Sequence, residues 1–154
     1  MQDLPTAQAI LVPVGGGNFI AGCAIATKST NEHAPQLIGV QSEAAPAVTE
    51  SMRQKRIVHL PTTTFAGGIA TTEPVPVAFA LMQRWVDAML LVSEQELIQS
   101  IGHLVRAHGI LVEGAGAAAL AALLRYAPRF AGQTVVLILS GRNLDVGSLR
   151  AAIG

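Results

Sequence analysis

One stretch of the sequence decides the fold: Val12-Pro13-Val14-Gly15-Gly16-Gly17-Asn18-Phe19-Ile20-Ala21-Gly22. It passes from apolar, β-branched residues through three glycines into small apolar residues, which predicts a strand, a tight turn and a helix. The first amides of a helix have no partner within it, and the helix dipole favours negative charge there. Glycines let a backbone come close to an anion. The stretch therefore predicts either an anion site or a turn that is merely tight.

The spacing of this stretch excludes two common phosphate-binding loops. The dinucleotide fingerprint needs a glycine at position 20, where this chain has Ile20. The Walker loop needs Lys followed by Ser or Thr after the last glycine, and here Gly22 is followed by Cys23 and Ala24.

The rest of the chain alternates short apolar runs with helical patterns. Runs that predict strands occupy residues 9–14, 37–41, 89–92, 110–112 and 134–139. They are almost continuously apolar, as is typical of strands that are covered on both faces. Because parallel strands need crossover connections, this alternation predicts an α/β fold in three layers, with a mostly parallel sheet and helices on both faces.

Three helices are predicted between the strands. The clearest begins at Ser93, which forms a capping box with Glu96, and Gly109 is placed to end it. Residues 19–27 and 115–124 are apolar around most of their circumference, which predicts buried helices.

Residues 59–77 have no sustained period, and a loop of that length in a compact domain is usually functional or disordered.

A second motif stands where the last predicted strand ends, at Leu139-Ser140-Gly141-Arg142-Asn143. Ligands of open α/β sheets lie beyond the carboxyl ends of the strands, so Ser140 is well placed to meet one. A serine in this position could equally cap the helix that follows.

The composition excludes several classes of protein. Lys+Arg and Asp+Glu each number 10 and charged residues are only 13% of the 154, so the basic surface that nucleic-acid binding needs is missing. The longest apolar run, 115–124, is half of the roughly 20 residues of a membrane-spanning helix, and nothing before Pro5 is typical of a signal peptide. We expect a soluble, cytoplasmic protein. Because 51% of the residues are hydrophobic, we expect some apolar surface to meet a second domain or subunit, including a homo-oligomer.

Five motifs in one collinear order resemble the pyridoxal-phosphate (PLP) enzymes of the threonine/serine dehydratase and serine racemase group, the fold type II enzymes. The resemblance covers nearly all of the chain. The motifs are VPVGGGNFIAG at 12–22, LIGVQSE at 37–43, LVSEQEL at 91–97, LVEGAGAAALAAL at 111–123 and LSGRNLD at 139–145.

The resemblance implies roles for seven residues. In that family a glycine loop wraps the cofactor phosphate with backbone amides, and the matching positions are Gly15, Gly16, Gly17 and Asn18, with the amide of Phe19 next. The family's serine that hydrogen-bonds the pyridine nitrogen matches Ser140. Glu113 matches an acidic residue near the ring, although the sequence also allows it to favour the dipole of the next helix.

The departures from the family pattern are informative. The fourth glycine of the loop is Asn18, and Arg142 replaces a small residue of the serine motif. The family's alanine-aspartate-glycine element is Ala66-Gly67-Gly68 here, without its carboxylate.

No metal site is expected from the sequence. Relatives with a divalent metal carry carboxylates where this chain has Gln41 and Ala47. His103 and His108 are five residues apart, off the spacing that puts two ligands on one helix face, and His33 and His59 lie in predicted loops. The single cysteine, Cys23, cannot form an internal disulfide, and we expect it to be a buried packing residue.

The family's Schiff-base lysine lies in a serine-x-lysine motif far upstream of the glycine loop, in a part that also includes the small domain. Lys28 and Lys55 do not have that setting. We therefore expect residues 1–154 to be a single α/β domain, the carboxyl-terminal part of the large cofactor-binding domain, inactive without the missing segment or a second subunit. PLP is expected in the full-length parent, with weak or no binding to this chain alone. The implied reaction converts L-threonine or L-serine to a 2-oxo acid and ammonia. A noncatalytic module that binds PLP or another phosphorylated ligand, or part of a racemase, are the alternatives.

Overall fold

The structure is a computed structural model that describes residues 4–29 and 34–154. It contains a four-stranded sheet in the order β3-β2-β1-β4, and every adjacent pair of strands is parallel. The strands are β1 (Ala9–Pro13), β2 (Gln36–Ser42), β3 (Ala88–Val92) and β4 (Val135–Leu137).

In the described ranges, six α-helices accompany the sheet. They are α1 (Asn18–Lys28), α2 (Ala47–Gln54), α3 (Pro76–Trp85), α4 (Glu94–His108), α5 (Gly114–Arg125) and α6 (Val146–Ile153), with 3-10 turns at Gly67–Ile69 and Ala127–Phe130. Ser93 and Glu96 form the predicted capping box, and Gly109 ends α4 in the left-handed conformation.

Two cores lie on opposite faces of the sheet. On one face, alternate side chains of β1 and β2 such as Ile10, Val12 and Leu37 pack against α1, α2 and α3. On the other face, Leu11 and Ile38 pack against the alanines of α5 and against Leu97 of α4. The predicted three-layer α/β class is confirmed.

The strand predicted at residues 110–112 is wrong. The amide of Ile110 donates to the carbonyl of Leu104 (3.1 Å), so it completes the end of α4 instead of joining a ladder. Ile110 and Leu111 are exposed, and only Val112 is buried. An apolar run of three residues therefore serves as a link between α4 and α5.

The prediction of a buried cysteine is only partly right. Cys23 is half-buried, and it lines an apolar cavity between α1 and β4 together with Val136 and Ile138. Its partial burial raises the pKa of the thiol above its ordinary value.

Within the part of the chain that the structure describes, no helix has the length and apolar character needed to cross a membrane.

Candidate functional site

The glycine loop joins the carboxyl end of β1 to the amino end of α1. Gly17 is the N-cap residue of α1 and adopts φ 97°, a left-handed conformation that only glycine reaches without strain. A Cβ on Gly17 would also lie 2.6 Å from the Sδ atom of Met82, so a larger residue would have to displace this side chain. Both requirements explain why the turn needs glycine here.

The amino end of α1 is not capped by a side chain. Across residues 4–29 and 34–154, no protein group accepts a hydrogen bond from the amides of residues 15–19. The loop itself is held in place from another direction, because the amide of Val75 donates to the carbonyl of Gly16 (2.9 Å). The free amides and the helix dipole together make this turn suited to an anion.

All seven residues predicted from the sequence line one cavity of about 250 Å³. Its walls combine the glycine loop, the 3-10 turn at Gly67–Ile69, the start of α5 and the segment that follows β4. They are Pro13, Gly15, Gly16, Gly17, Asn18, Phe19, Gly68, Ile69, Glu113, Ala115 and Ser140.

Ser140 lies three residues beyond β4, where its side chain is exposed. It does not cap the helix that follows, because Asp145 is the N-cap residue of α6 and accepts a hydrogen bond from the amide of Ser148 (2.9 Å). The hydrogen bonds from Ser148 also hold the pKa of Asp145 below its ordinary value. The Ser140 hydroxyl is therefore left available to the cavity.

The backbone of Ser140 is fixed by close contact with α5. A Cβ on Gly116 would lie 1.8 Å from the carbonyl oxygen of Ser140, so only glycine permits this approach. The amide of Glu113 donates to the carbonyl of Gly141 (3.1 Å), which ties the same segment to the start of α5. The position of Ser140 therefore depends on α5 as well as on β4.

Glu113 is the N-cap residue of α5, but its side chain makes no capping hydrogen bond. The carboxylate instead lies beside the backbones of Gly68 and Gly141, where a Cβ would come 3.0 Å and 2.2 Å from its Oε1 atom. Glu113 and Gly68 also line a second cavity of about 450 Å³, so the cleft continues past them. The first cavity alone is slightly below the roughly 300–1,000 Å³ of ligand sites, and the continuous cleft reaches that range.

The sequence-based selection missed four wall residues: Pro13, Gly68, Ile69 and Ala115. The signal for Gly68 was present, since it belongs to the Ala66-Gly67-Gly68 element of the irregular segment. Pro13 and Ala115 each lie two residues from a selected residue, Gly15 and Glu113. Ile69 is buried in the core and carried no polar signal.

Gln41 and Ala47, where metal-bearing relatives have carboxylates, are both buried. The side-chain Oε1 atom of Gln41 accepts hydrogen bonds from the backbone amide (2.7 Å) and the hydroxyl (2.9 Å) of Thr49. The rings of His103 and His108 are 5.8 Å apart, and His33 lies outside the described residues. Over the described ranges, no three His, Cys, Asp or Glu side chains form a group that could hold a metal ion.

Comparison with known proteins gives a consistent picture. A family model described as "Pyridoxal-phosphate dependent enzyme" matches residues 1–141. The L-threonine ammonia-lyase of Geobacter sulfurreducens is 42% identical over 155 residues, which cover 99% of this chain and 38% of that protein. The catabolic L-threonine dehydratase TdcB of Escherichia coli is 36% identical over 157 residues, covering 100% of this chain and 47% of its own length.

Solved structures agree with these sequence matches. The processed form of threonine deaminase isoform 2 from Solanum lycopersicum superposes with a TM-score of 0.91 at 30% identity, over 98% of this chain and 45% of that one. A second solved threonine deaminase, from T.th., gives a TM-score of 0.85 at 37% identity, over 90% and 51%. The chain thus spans about half, or less, of the length of these relatives. With a family model matched over nearly all of its length, the chain belongs to the family of pyridoxal-phosphate dependent enzymes.

Proposed function

We propose that this chain supplies the phosphate- and ring-binding part of a PLP-dependent ammonia-lyase that acts on L-threonine, giving 2-oxobutanoate and ammonia. L-serine, giving pyruvate and ammonia, is the second substrate in the proposal. One observation carries it: the uncapped glycine loop and Ser140, which are more than 120 residues apart in the sequence, line the same cavity. The relatives named as threonine ammonia-lyases and dehydratases support the choice of substrate.

The glycine loop fits the phosphate group. In the proposal, the amides of Gly15, Gly16, Gly17, Asn18 and Phe19 donate to the phosphate oxygens. These amides have no acceptor elsewhere in the described part of the chain, so binding costs no protein hydrogen bond. The dipole of α1 adds attraction for the negative charge.

Ser140 and Glu113 belong to the ring side of the proposed site. The Ser140 hydroxyl is proposed to hydrogen-bond the pyridine nitrogen, and a hydroxyl, unlike a carboxylate, does not force that nitrogen to stay protonated. The Glu113 carboxylate is proposed to lie near the ring edge. When bound, the cofactor supplies the electron sink for elimination from the amino acid.

The covalent lysine is proposed to come from elsewhere. Neither Lys28 nor Lys55 lines either cavity of the cleft. Lys28 stands at the far end of α1, about 15 Å from its first turn, and pairs with Asp87. A stable borohydride-reduced adduct of PLP at Lys28 or Lys55, located by mass spectrometry, would contradict this part of the proposal.

The missing partner has a place to bind in the proposed arrangement. Among the described residues, strand β4 lies at one edge of the sheet and pairs on one side only, with β1. Beside it, an apolar cavity of about 300 Å³ is lined by Leu4, Ile10, Cys23, Ala26, Thr27, Val136 and Ile138. We propose that residues 1–154 are the carboxyl-terminal part of the large domain, and that the remainder of the enzyme covers this face. Assembly into a homo-oligomer and a cytoplasmic location remain predictions.

The direct test supplies the missing part. The chain is expressed together with the portion of the G. sulfurreducens relative that lies outside the match, and 2-oxobutanoate formed from L-threonine is measured. We expect product from the pair and none from either polypeptide alone. A folded complex that binds PLP but forms no product from L-threonine or L-serine would reject the enzyme proposal and favour a noncatalytic binding module.

A further inference from the structure

The irregular segment 59–77 forms part of the cleft although it has little regular structure. It contributes Gly68 and Ile69 to the first cavity and Phe65, Gly67 and Gly68 to the second. A segment with so little regular structure needs individual contacts to hold such a position. Backbone hydrogen bonds from the Thr63 amide to the Ala44 carbonyl (2.9 Å) and from the Val75 amide to the Gly16 carbonyl (2.9 Å) hold it on either side of the cleft residues. Between them, the carboxylate of Glu94 anchors residues 64 and 65.

Glu94 is the first residue of α4 and is half-buried. Its Oε2 atom accepts a hydrogen bond from the amide of Phe65 (2.9 Å), and its Oε1 atom accepts one from the hydroxyl of Thr64 (2.8 Å). The hydroxyl of Ser42, at the end of β2, also donates to Oε1. The Thr64 hydroxyl in turn accepts from the amide of Ala66 (3.1 Å).

These bonds join three elements at one charged group. Hydrogen bonds to an ionised carboxylate are stronger than those between neutral groups. Glu94 therefore fixes the segment at residues 64–66 relative to the end of β2 and the start of α4. The buried residue Ala66 precedes a 3-10 turn that the buried residue Ile69 ends, and the bond from the Ile69 amide to the Ala66 carbonyl (3.0 Å) closes the turn.

Gly68, in this turn, is packed tightly against its neighbours. A Cβ at this position would lie 2.9 Å from the Cβ of Ala115 and 3.0 Å from Oε1 of Glu113. A shift of the turn toward α5 is blocked, and a shift away from it widens the cavity beside Glu113. The position set by Glu94 thus determines how closely Gly68 approaches whatever occupies this part of the cleft.

We propose that Glu94 is a positioning residue for the cofactor ring: it holds segment 64–69 so that Gly68 forms a tight wall beside Glu113. This inference rests on the proposed function. It concerns the ring more than the phosphate, because the amino end of α1 and the Val75 amide hold the glycine loop away from residues 64 and 65. The loop meets the turn only at Gly15, where a Cβ would lie 2.9 Å from the carbonyl oxygen of Gly68.

The test separates ring binding from phosphate binding. The probes are inorganic phosphate and pyridoxine 5′-phosphate, which carries the ring and the phosphate ester but has no aldehyde to react with Lys28 or Lys55. The variants are Glu94→Ala and Glu94→Gln, whose amide group offers only one acceptor oxygen. Glu96→Gln is the matched control, because Glu96 lies in the same helical turn but bonds Ser93 and Arg125 instead of the segment.

Calorimetric titration should give a distinct pattern. For Glu94→Ala we expect about tenfold weaker binding of pyridoxine 5′-phosphate, which is about 1.4 kcal/mol, and a clearly smaller loss for inorganic phosphate. Glu94→Gln should fall between this variant and the wild type, and Glu96→Gln should bind both probes like the wild type. Hydrogen exchange of residues 62–69 should accelerate in Glu94→Ala and not in Glu96→Gln.

The alternative outcomes are informative. An equal loss of affinity for both probes in Glu94→Ala would mean that Glu94 only stabilises the fold, which overturns the inference. Unchanged pyridoxine 5′-phosphate affinity, or unchanged hydrogen exchange of the segment, would overturn it too. A wild-type chain that binds neither probe would instead reject the proposed function, and the cofactor role of Glu94 with it.

Discussion

The requirement for glycine at position 17 can be tested by the substitution Gly17→Ala. Gly17 has φ 97° and ψ −9°, and an added Cβ would lie 2.6 Å from Sδ of Met82 and 3.4 Å from Cβ of Ala78. The backbone conformation costs a residue with a Cβ about 1–2 kcal/mol. Displacing the buried Met82 side chain adds about 1–2 kcal/mol, the lower part of the range for overpacking, because methionine is flexible.

We therefore expect Gly17→Ala to lower the free energy of unfolding by about 2–4 kcal/mol and the melting temperature by roughly 4–16 °C. Gly22→Ala is the matched control: this residue lies inside the same helix, and no atom is within 4 Å of its added Cβ. It should stabilise the chain by up to about 1 kcal/mol, since alanine favours the helix. Urea and thermal unfolding followed by circular dichroism measure both values. A Gly17→Ala variant as stable as the wild type would refute the reasoning.

Three further outcomes follow from individual side chains. Ser140→Ala should change the unfolding free energy by less than about 0.5 kcal/mol, because Ser140 is exposed. In calorimetric titration it should weaken the binding of pyridoxine 5′-phosphate and leave that of inorganic phosphate unchanged. A loss of affinity for both ligands would be inconsistent with a ring contact. Hydrogen bonding from Arg53 lowers the pKa of Glu50 from 4.5 to about 2, so its stabilising effect, complete above pH 4.5, should fade as the pH falls toward 2. Urea unfolding across this window should therefore show a steeper loss for the wild type than for Glu50→Gln, and parallel curves would argue against the effect. Gly102→Ala would put a Cβ 2.1 Å from the carbonyl oxygen of Ala152 and should cost about 1–3 kcal/mol in thermal unfolding by displacing α6, whereas an unchanged melting temperature would argue against that packing.

The fold class was predictable because local patterns and burial agree. Nearly continuous apolar runs mark β1, β2, β3 and β4, all of which have neighbours in one parallel sheet. The run at 110–112 has the same composition but pairs with none of the strands that the structure describes, and pairing is not encoded in a three-residue pattern. The boundaries of α4 were predictable, since its capping box and terminal glycine are local signals.

The helices α2, α3 and α6 were not singled out by the sequence. Helix α3 begins at Pro76, inside the segment that was predicted to be irregular up to residue 77. Proline suits the first turn of a helix, but the prolines and the glycine pair of this segment dominated the pattern. Helix α6 is capped by Asp145 and not by Ser140, which lies five residues before it.

The candidate site was predictable in its residues but not in its support. The glycine stretch and the serine motif are readable as strand ends in a parallel sheet, and such ends meet at one edge. The contacts that hold them are not readable, because they are distant in sequence. Gly116 lies against the carbonyl of Ser140, and Glu94 holds residues 64 and 65. Such contacts depend on packing between α4, α5 and an irregular segment.

The most direct test of the account is an NMR titration of the isotope-labelled chain with inorganic phosphate and then with pyridoxine 5′-phosphate. We predict that both ligands shift the amide resonances of residues 15–19, and that only pyridoxine 5′-phosphate also shifts those of Ser140 and Glu113. Shifts confined to other surfaces, or a glycine loop that responds to neither ligand, would contradict the claim that this cleft binds the cofactor.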